Sequence, residues 1–171
     1  EPGRHRVFLA PAAVGDLLDL MQWGGFSAKE QATKRSSLQK LVADQAHFHP
    51  QFSLSDDLAT GYAPAFDSLG FARAGTHALI KNGRHANAIV SARTAAEYGL
   101  TPTGADDELA VALSLAPGDL PMADAAAALG DGLYINNLWY LNYSDRANAR
   151  ATGMTRFATL WVENGVAVAA C

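Results

Sequence analysis

A chain of 171 residues, 49% hydrophobic and 18% charged, is long enough to bury roughly 70% of its unfolded surface around a core. Its formal charge of −4, with 13 lysines and arginines spread along the sequence, gives no electrostatic footprint for a nucleic-acid backbone, and no apolar run reaches the ~20 residues of a bilayer span. The single cysteine, Cys171, excludes an internal disulfide and a multi-cysteine metal site. One domain over residues 1–171 is expected. The opening stretch EPGRHRVFLAPAAV does not have the long apolar centre of a signal peptide, so the expected location is cytoplasmic, with no direct nucleic-acid or membrane partner.

In chain order, RVFLA (6–10) alternates as a short strand and runs into Pro11, whose missing N–H suits the first turn of a helix. Val14, Leu17, Leu18 and Met21 then recur at helical spacing, and Gly24-Gly25 ends the run. Ser27 and Glu30 stand three apart, as in a capping box; a second helix with Leu38, Leu41 and Val42 as its apolar stripe should follow. From His47 to Gly70 the density of Pro, Gly, Ser and Asp predicts an irregular exposed segment. Loops of that length are uncommon unless they serve a function. Asn82-Gly83 and Asn164-Gly165 accept the positive φ angles of two-residue hairpin turns. Between them SARTAAEYG and MADAAAALG read as short helices closed by Gly99 and Gly130. The order predicts an α+β fold, predominantly antiparallel, with short helices packed on the sheet.

Aromatic and polar residues concentrate in GLYINNLWYLNYSD (132–145). On an extended segment Leu133, Ile135, Asn137, Trp139 and Leu141 share one face, expected to be core, and Tyr134, Asn136, Leu138, Tyr140 and Asn142 share the other. Tyr and Asn combine contact area with hydrogen-bonding tips. A polar loop follows, bearing Asp145, Arg146, Arg150 and Arg156. Such a face can hold an extended peptide through backbone pairing and side-chain pockets, which makes Tyr134, Asn136, Tyr140, Asn142, Asp145 and Arg156 candidate peptide- or partner-binding residues. The plainer alternative is that Tyr and Asn cover the wet face of an edge strand and the arginines are solvated.

Catalytic patterns are sparse. His47 and His49 are two apart and would face the same way on a strand, where Asp56 or Asp57 could complete a metal site; HFHP lies in the loop-rich region with no evident third ligand. Asp56-Asp57 and Asp106-Asp107-Glu108 are acid clusters of the kind usually solvated. Ser36, Ser37 and Ser91 lack a nucleophile elbow, and no residue is assigned to catalysis or metal binding.

An ordered set of motifs carries a resemblance. FDSLG (66–70) followed by a strand and KNG (81–83), the block SARTAAEYGLTPTG (91–104) and the ending TGMTRFATLWVENG (152–165) resemble the C-terminal part of the TldD/PmbA family, once called modulators of DNA gyrase. The resemblance covers nearly the whole chain. It implies a barrel-like domain related to metallopeptidases, with an N-terminal domain and a final C-terminal segment outside this sequence. TldD-type members of the family carry a His-Glu-x-x-x-His motif that binds zinc and cuts peptides. PmbA-type members, also called TldE, lack it and join TldD in a heterodimer that processes small peptides and degrades unfolded ones. The zinc helix of TldD-type members begins just after the strand matching RVFLA. Here that window reads APAAVGD, with Pro11 and Asp16, or Ala10 and Gly15, at the outer positions. Neither alignment supplies two imidazoles and a carboxylate, so no group polarises a water or takes its proton. The resemblance therefore implies a PmbA-like, non-catalytic subunit with no cofactor of its own. Zinc would reside in a TldD-type partner; a homo-oligomer is the other assembly, and a peptide or unfolded protein the substrate. A self-sufficient hydrolase built on His47 and His49 is the competing expectation.

Overall fold

The computed structural model describes residues 3–73, 75–104 and 106–171. In chain order they form β1 (Val7–Leu9), α1 (Pro11–Met21), α2 (Ala28–Ala32), α3 (Gln39–Val42), β2 (Leu54–Asp57), β3 (Thr76–Lys81), β4 (Arg84–His85), α4 (Ala92–Tyr98), β5 (Leu113–Leu115), α5 (Ala125–Leu129), β6 (Gly132–Asp145), β7 (Arg150–Glu163) and β8 (Val166–Ala170). The expected α+β class and the mainly antiparallel pairing are both present. The barrel-like form is not: the strands make two open four-stranded sheets, β1-β6-β7-β8 and β4-β3-β2-β5, each ending on two unpaired edges among the described residues.

The chain divides into two compact units. The first takes Glu1–Leu20, Gly118–Ser144 and Ala151–Cys171. In it β1 lies parallel to β6, pairing Val7 with Leu133, Phe8 with Tyr134 and Leu9 with Ile135, and β7 and β8 pair antiparallel. The turn between β7 and β8 is the expected one, with Asn164 at φ 51° and Gly165 at φ 77°. Pro11 opens α1, which buries Ala13, Leu18 and Leu20. Where β1 ends, Asp16 on α1 takes over as a partner of β6: its carboxylate accepts the Leu138 amide at 2.8 Å.

The second unit takes Met21–Pro117 and Asp145–Arg150. Its sheet is antiparallel throughout, with Leu54, Leu79 and Ile80 at the bottom of the core and the Asn82-Gly83 turn formed as expected. Two findings depart from the sequence reading. The expected second helix is split into α2 and α3, because Lys34 turns left-handed at φ 58° and the amides of Arg35 and Ser36 both return to the Glu30 carbonyl. The segment expected as loop contains β2, an interior strand between β3 and β5.

Two buried acids explain how that strand and the helices are held. Asp56 on β2 accepts the amides of Val111 at 3.0 Å and Ala112 at 2.8 Å and pairs with Arg73 at 3.0 Å. Glu108, 5% exposed, joins the beginnings of α2 and α4. One oxygen accepts the Ser27 hydroxyl and the Lys29 amide; the other accepts the amide and the hydroxyl of Ser91. Ser27 and Ser91 are in turn the caps of those helices, each accepting an amide three residues on. Burial alone would raise the Glu108 pKa, but hydrogen bonds from Ser27, Thr94 and the amides of Lys29 and Ser91 outweigh it and bring the carboxyl to about 2.

A carboxyl with a depressed folded pKa contributes its full stabilisation above its ordinary pKa of 4.5 and loses it as the pH falls toward the folded value. Between pH 7 and pH 2 Glu108 should therefore surrender about 3 kcal/mol. Urea unfolding of Glu108→Gln should show lower stability at neutral pH and a shallower decline with acid than the parent. Parallel acid limbs for the two proteins would show that Glu108 is not the linked group.

Candidate functional site

In a regular strand successive side chains leave on opposite faces, so Trp139 and Tyr140, or Arg156 and Phe157, should not meet. In the first unit they do. Tyr140 on β6 and Phe157 on β7 both adopt left-handed backbone, with φ 50° and 60°, a conformation that is unusual for bulky side chains. Each reverses the alternation at its own position. The Trp139 and Tyr140 rings consequently lie edge to face with centroids 5.4 Å apart. The Arg156 guanidinium carbon sits 3.9 Å from the centre of the Trp139 ring and 4.8 Å from that of Phe157, both within the range of a cation–π attraction.

This cluster is open to solvent: Tyr140 is 73% exposed, Phe157 72% and Trp139 46%. Trp139 therefore does not belong to the core face to which its sequence position assigned it; on that face Ile135 is buried, and Leu133, Asn137 and Leu141 are half-buried. Of the six candidate residues, the structure brings Tyr140 and Arg156 together, joined by Trp139 and Phe157, which the alternation pattern did not single out. Tyr134 stacks on Phe8 with centroids 5.1 Å apart. Asn136 donates to the Asn137 side chain at 2.6 Å, and the Asn142 side chain accepts the Tyr143 amide at 2.8 Å.

Asp145 belongs to the second unit, where it caps the turn Arg146–Asn148 by accepting the Asn148 amide and side chain at 3.2 and 2.7 Å. The Asn148 side-chain hydrogen bond holds the Asp145 carboxyl below its ordinary range. Arg146 is not simply solvated: it donates to the carbonyls of Arg35 and Trp23.

The alternative metal site does not assemble. His47 lies 2.7 Å from Asp44, whose carboxylate also holds Arg84; hydrogen bonds from His47 and Arg84 keep the Asp44 pKa low. His49 accepts the Gln51 amide, and Asp56 is filled by Arg73 and two amides. Among the described residues no three His, Cys, Asp or Glu side chains are grouped to hold an ion. The window 10–16 at the start of α1 offers one side chain able to ligate, Asp16, and its carboxylate is engaged by the Leu138 amide. Those residues do not fit a zinc ion, which needs three or four nitrogen, sulfur or carboxylate donors.

Residues 2–171 match the model of the PmbA/TldA metallopeptidase C-terminal domain. The chain belongs to that family. Three solved structures share the fold. A candidate DNA gyrase modulator from Thermotoga maritima superposes with a TM-score of 0.68 at 19% identity, over 98% of this chain and 40% of its own. TldE from Thermococcus kodakarensis gives 0.74 at 16% identity, over 98% and 40%. A further candidate modulator from Bacteroides thetaiotaomicron gives 0.75 at 17%, over 97% and 37%. The chain thus spans about two fifths of the length of these proteins. Comparison with curated proteins gives no match. Among the described residues no helix is long and apolar enough to cross a membrane.

If the left-handed backbone is intrinsic to the cluster, glycine should be tolerated there, because it takes positive φ without steric cost. Tyr140→Gly and Phe157→Gly are each expected to lose less than about 0.5 kcal/mol in denaturant unfolding or to gain slightly, the ~1–2 kcal/mol left-handed cost offsetting the lost ring contacts. A loss well above about 1 kcal/mol, as for glycine in an ordinary strand, would contradict the left-handed assignment.

Proposed function

We propose that this chain is the C-terminal domain of a non-catalytic subunit in a cytoplasmic peptide-processing metallopeptidase assembly, one that contributes to proteolysis by binding peptide or unfolded protein. Zinc and the cutting chemistry reside in a TldD-type partner of a heterodimer. The observation that carries this reading is the chemistry at the start of α1. In the position where a zinc-bearing relative needs imidazoles and a general base, this chain has Ala, Pro, Val and Gly, and its one carboxylate, Asp16, is hydrogen-bonded to the backbone of β6. The membership of the family supplies the peptidase context, and the fold shared with a protein named TldE is consistent with the partner-dependent branch. The peptide-binding part rests on the β6–β7 hairpin, whose exposed rings and guanidinium provide contact area and donors at little entropic cost.

The full-length protein purified alone is expected to carry no stoichiometric zinc and to leave an unfolded casein substrate intact. Mixing it with a partner that bears the His-Glu-x-x-x-His motif should produce cleavage that a chelator abolishes. Stoichiometric transition metal and chelator-sensitive cleavage by this protein by itself would overturn the reading.

A further inference from the structure

The β6–β7 cluster has a feature that peptide binding in general does not require. Arg156 is exposed, and among the described residues no carboxylate lies within ion-pair distance of it; Arg35, Arg73, Arg84 and Arg146 each face one, and Arg4, Arg6 and Arg93 do not, so the ring contacts and not the missing ion pair set Arg156 apart. What fixes Arg156 is the ring of Trp139 at 3.9 Å and the ring of Phe157 at 4.8 Å. A cation–π contact takes up no carboxylate or carbonyl acceptor, so it leaves most of the five N–H donors of the guanidinium available in their fixed fork. Contact with two rings also restricts the rotamer freedom that an exposed arginine would otherwise lose on pairing.

We infer that Arg156, held by Trp139 and Phe157, is the recognition point for an aspartate or glutamate carboxylate of a bound peptide, flanked by apolar peptide side chains that rest on Tyr140 and Met154. This rests on the peptide-binding reading and adds a preference to it. The carboxylate follows from the donor geometry, since a bidentate pair matches the edge of a guanidinium. The apolar flanks follow from exposure: Tyr140 and Met154 are 73% and 54% exposed, and Met154, two residues before Arg156 on β7, leaves on the same face. A polyanion is a poor match, because one such cation in a chain of net charge −4 cannot neutralise a run of phosphates. A single acid beside apolar residues fits both the charge and the rings.

The test uses the full-length protein and two uncharged-terminus peptides, acetyl-Leu-Ala-Glu-Ala-Leu-amide, whose leucines share the face of the Glu when extended, and its Gln counterpart, titrated calorimetrically at low and high salt. The Glu peptide should bind about tenfold tighter, the size of one charge-assisted hydrogen-bonded pair, and the advantage should shrink as salt rises. In Arg156→Gln the two peptides should bind alike; Arg156→Lys, which keeps the charge and loses the fork, should retain only about a two- to threefold preference. Circular dichroism of the variants checks that they are folded, and the comparison of the two peptides on the parent protein stands without them. Equal affinity of the parent for Glu and Gln peptides would overturn the carboxylate preference while leaving peptide binding in place. Failure to bind either peptide would overturn both.

Discussion

Two residues with left-handed backbone, Tyr140 and Phe157, decide what the long hairpin presents. A strand of L-residues normally alternates its side chains between two faces, and a bulky residue at positive φ costs about 1–2 kcal/mol. The hairpin accepts that cost once on each strand. Trp139, Tyr140, Arg156 and Phe157, which regular strands would distribute over two faces, are gathered into one exposed group in which rings hold a guanidinium. Neither tyrosine nor phenylalanine gains burial in return, since both are more than 70% exposed. Strain concentrated on exposed side chains is characteristic of surfaces that bind something, and this is the physical ground for reading the hairpin as a contact surface.

The acids that could suggest catalysis serve the backbone instead. Glu108, Asp56 and Asp16 each accept main-chain amides, and the first two are buried with hydroxyl or guanidinium partners completing their shells. A buried carboxylate is tolerable only with such partners. In the second unit Glu108 satisfies donors at the beginnings of two short helices that have too few turns to be stable on their own. Asp56 ties an interior strand to the segment before β5. Both oxygens of Glu108 and of Asp56 are engaged by the fold, which leaves these two poorly suited to hold a metal or move a proton.

Features set by neighbours in sequence were legible before the structure. The Asn-Gly turns, the Ser27 cap of α2 and the glycine stops at Gly99 and Gly130 depend on a few adjacent residues, and the structure contains all of them; the matching Ser91 cap of α4 was not read from the sequence. The family was legible as well, because its motifs recur in order along nearly the whole chain. What stayed hidden was set at a distance. The sequence of β2, LSDD, does not look like an interior strand, since the burial of Asp56 depends on Arg73 and on amides at 111 and 112. The split between α2 and α3 turns on Lys34, a residue type with no preference for positive φ. The same is true at Tyr140 and Phe157: no Gly or Asn marks the reversal, so strict alternation placed Trp139 in the core. Glu108 looked like one acid of a solvated cluster because its donors, Ser27 and Ser91, lie 81 and 17 residues away.

The central claim is that rings, and not a carboxylate, hold Arg156 in place. A double-mutant cycle of Trp139→Leu and Arg156→Met, followed by denaturant unfolding, measures that contact directly. A coupling of about 0.5–1 kcal/mol that survives high salt better than an exposed ion pair would agree with the cation–π contact. Additive single and double variants, with no coupling, would contradict it.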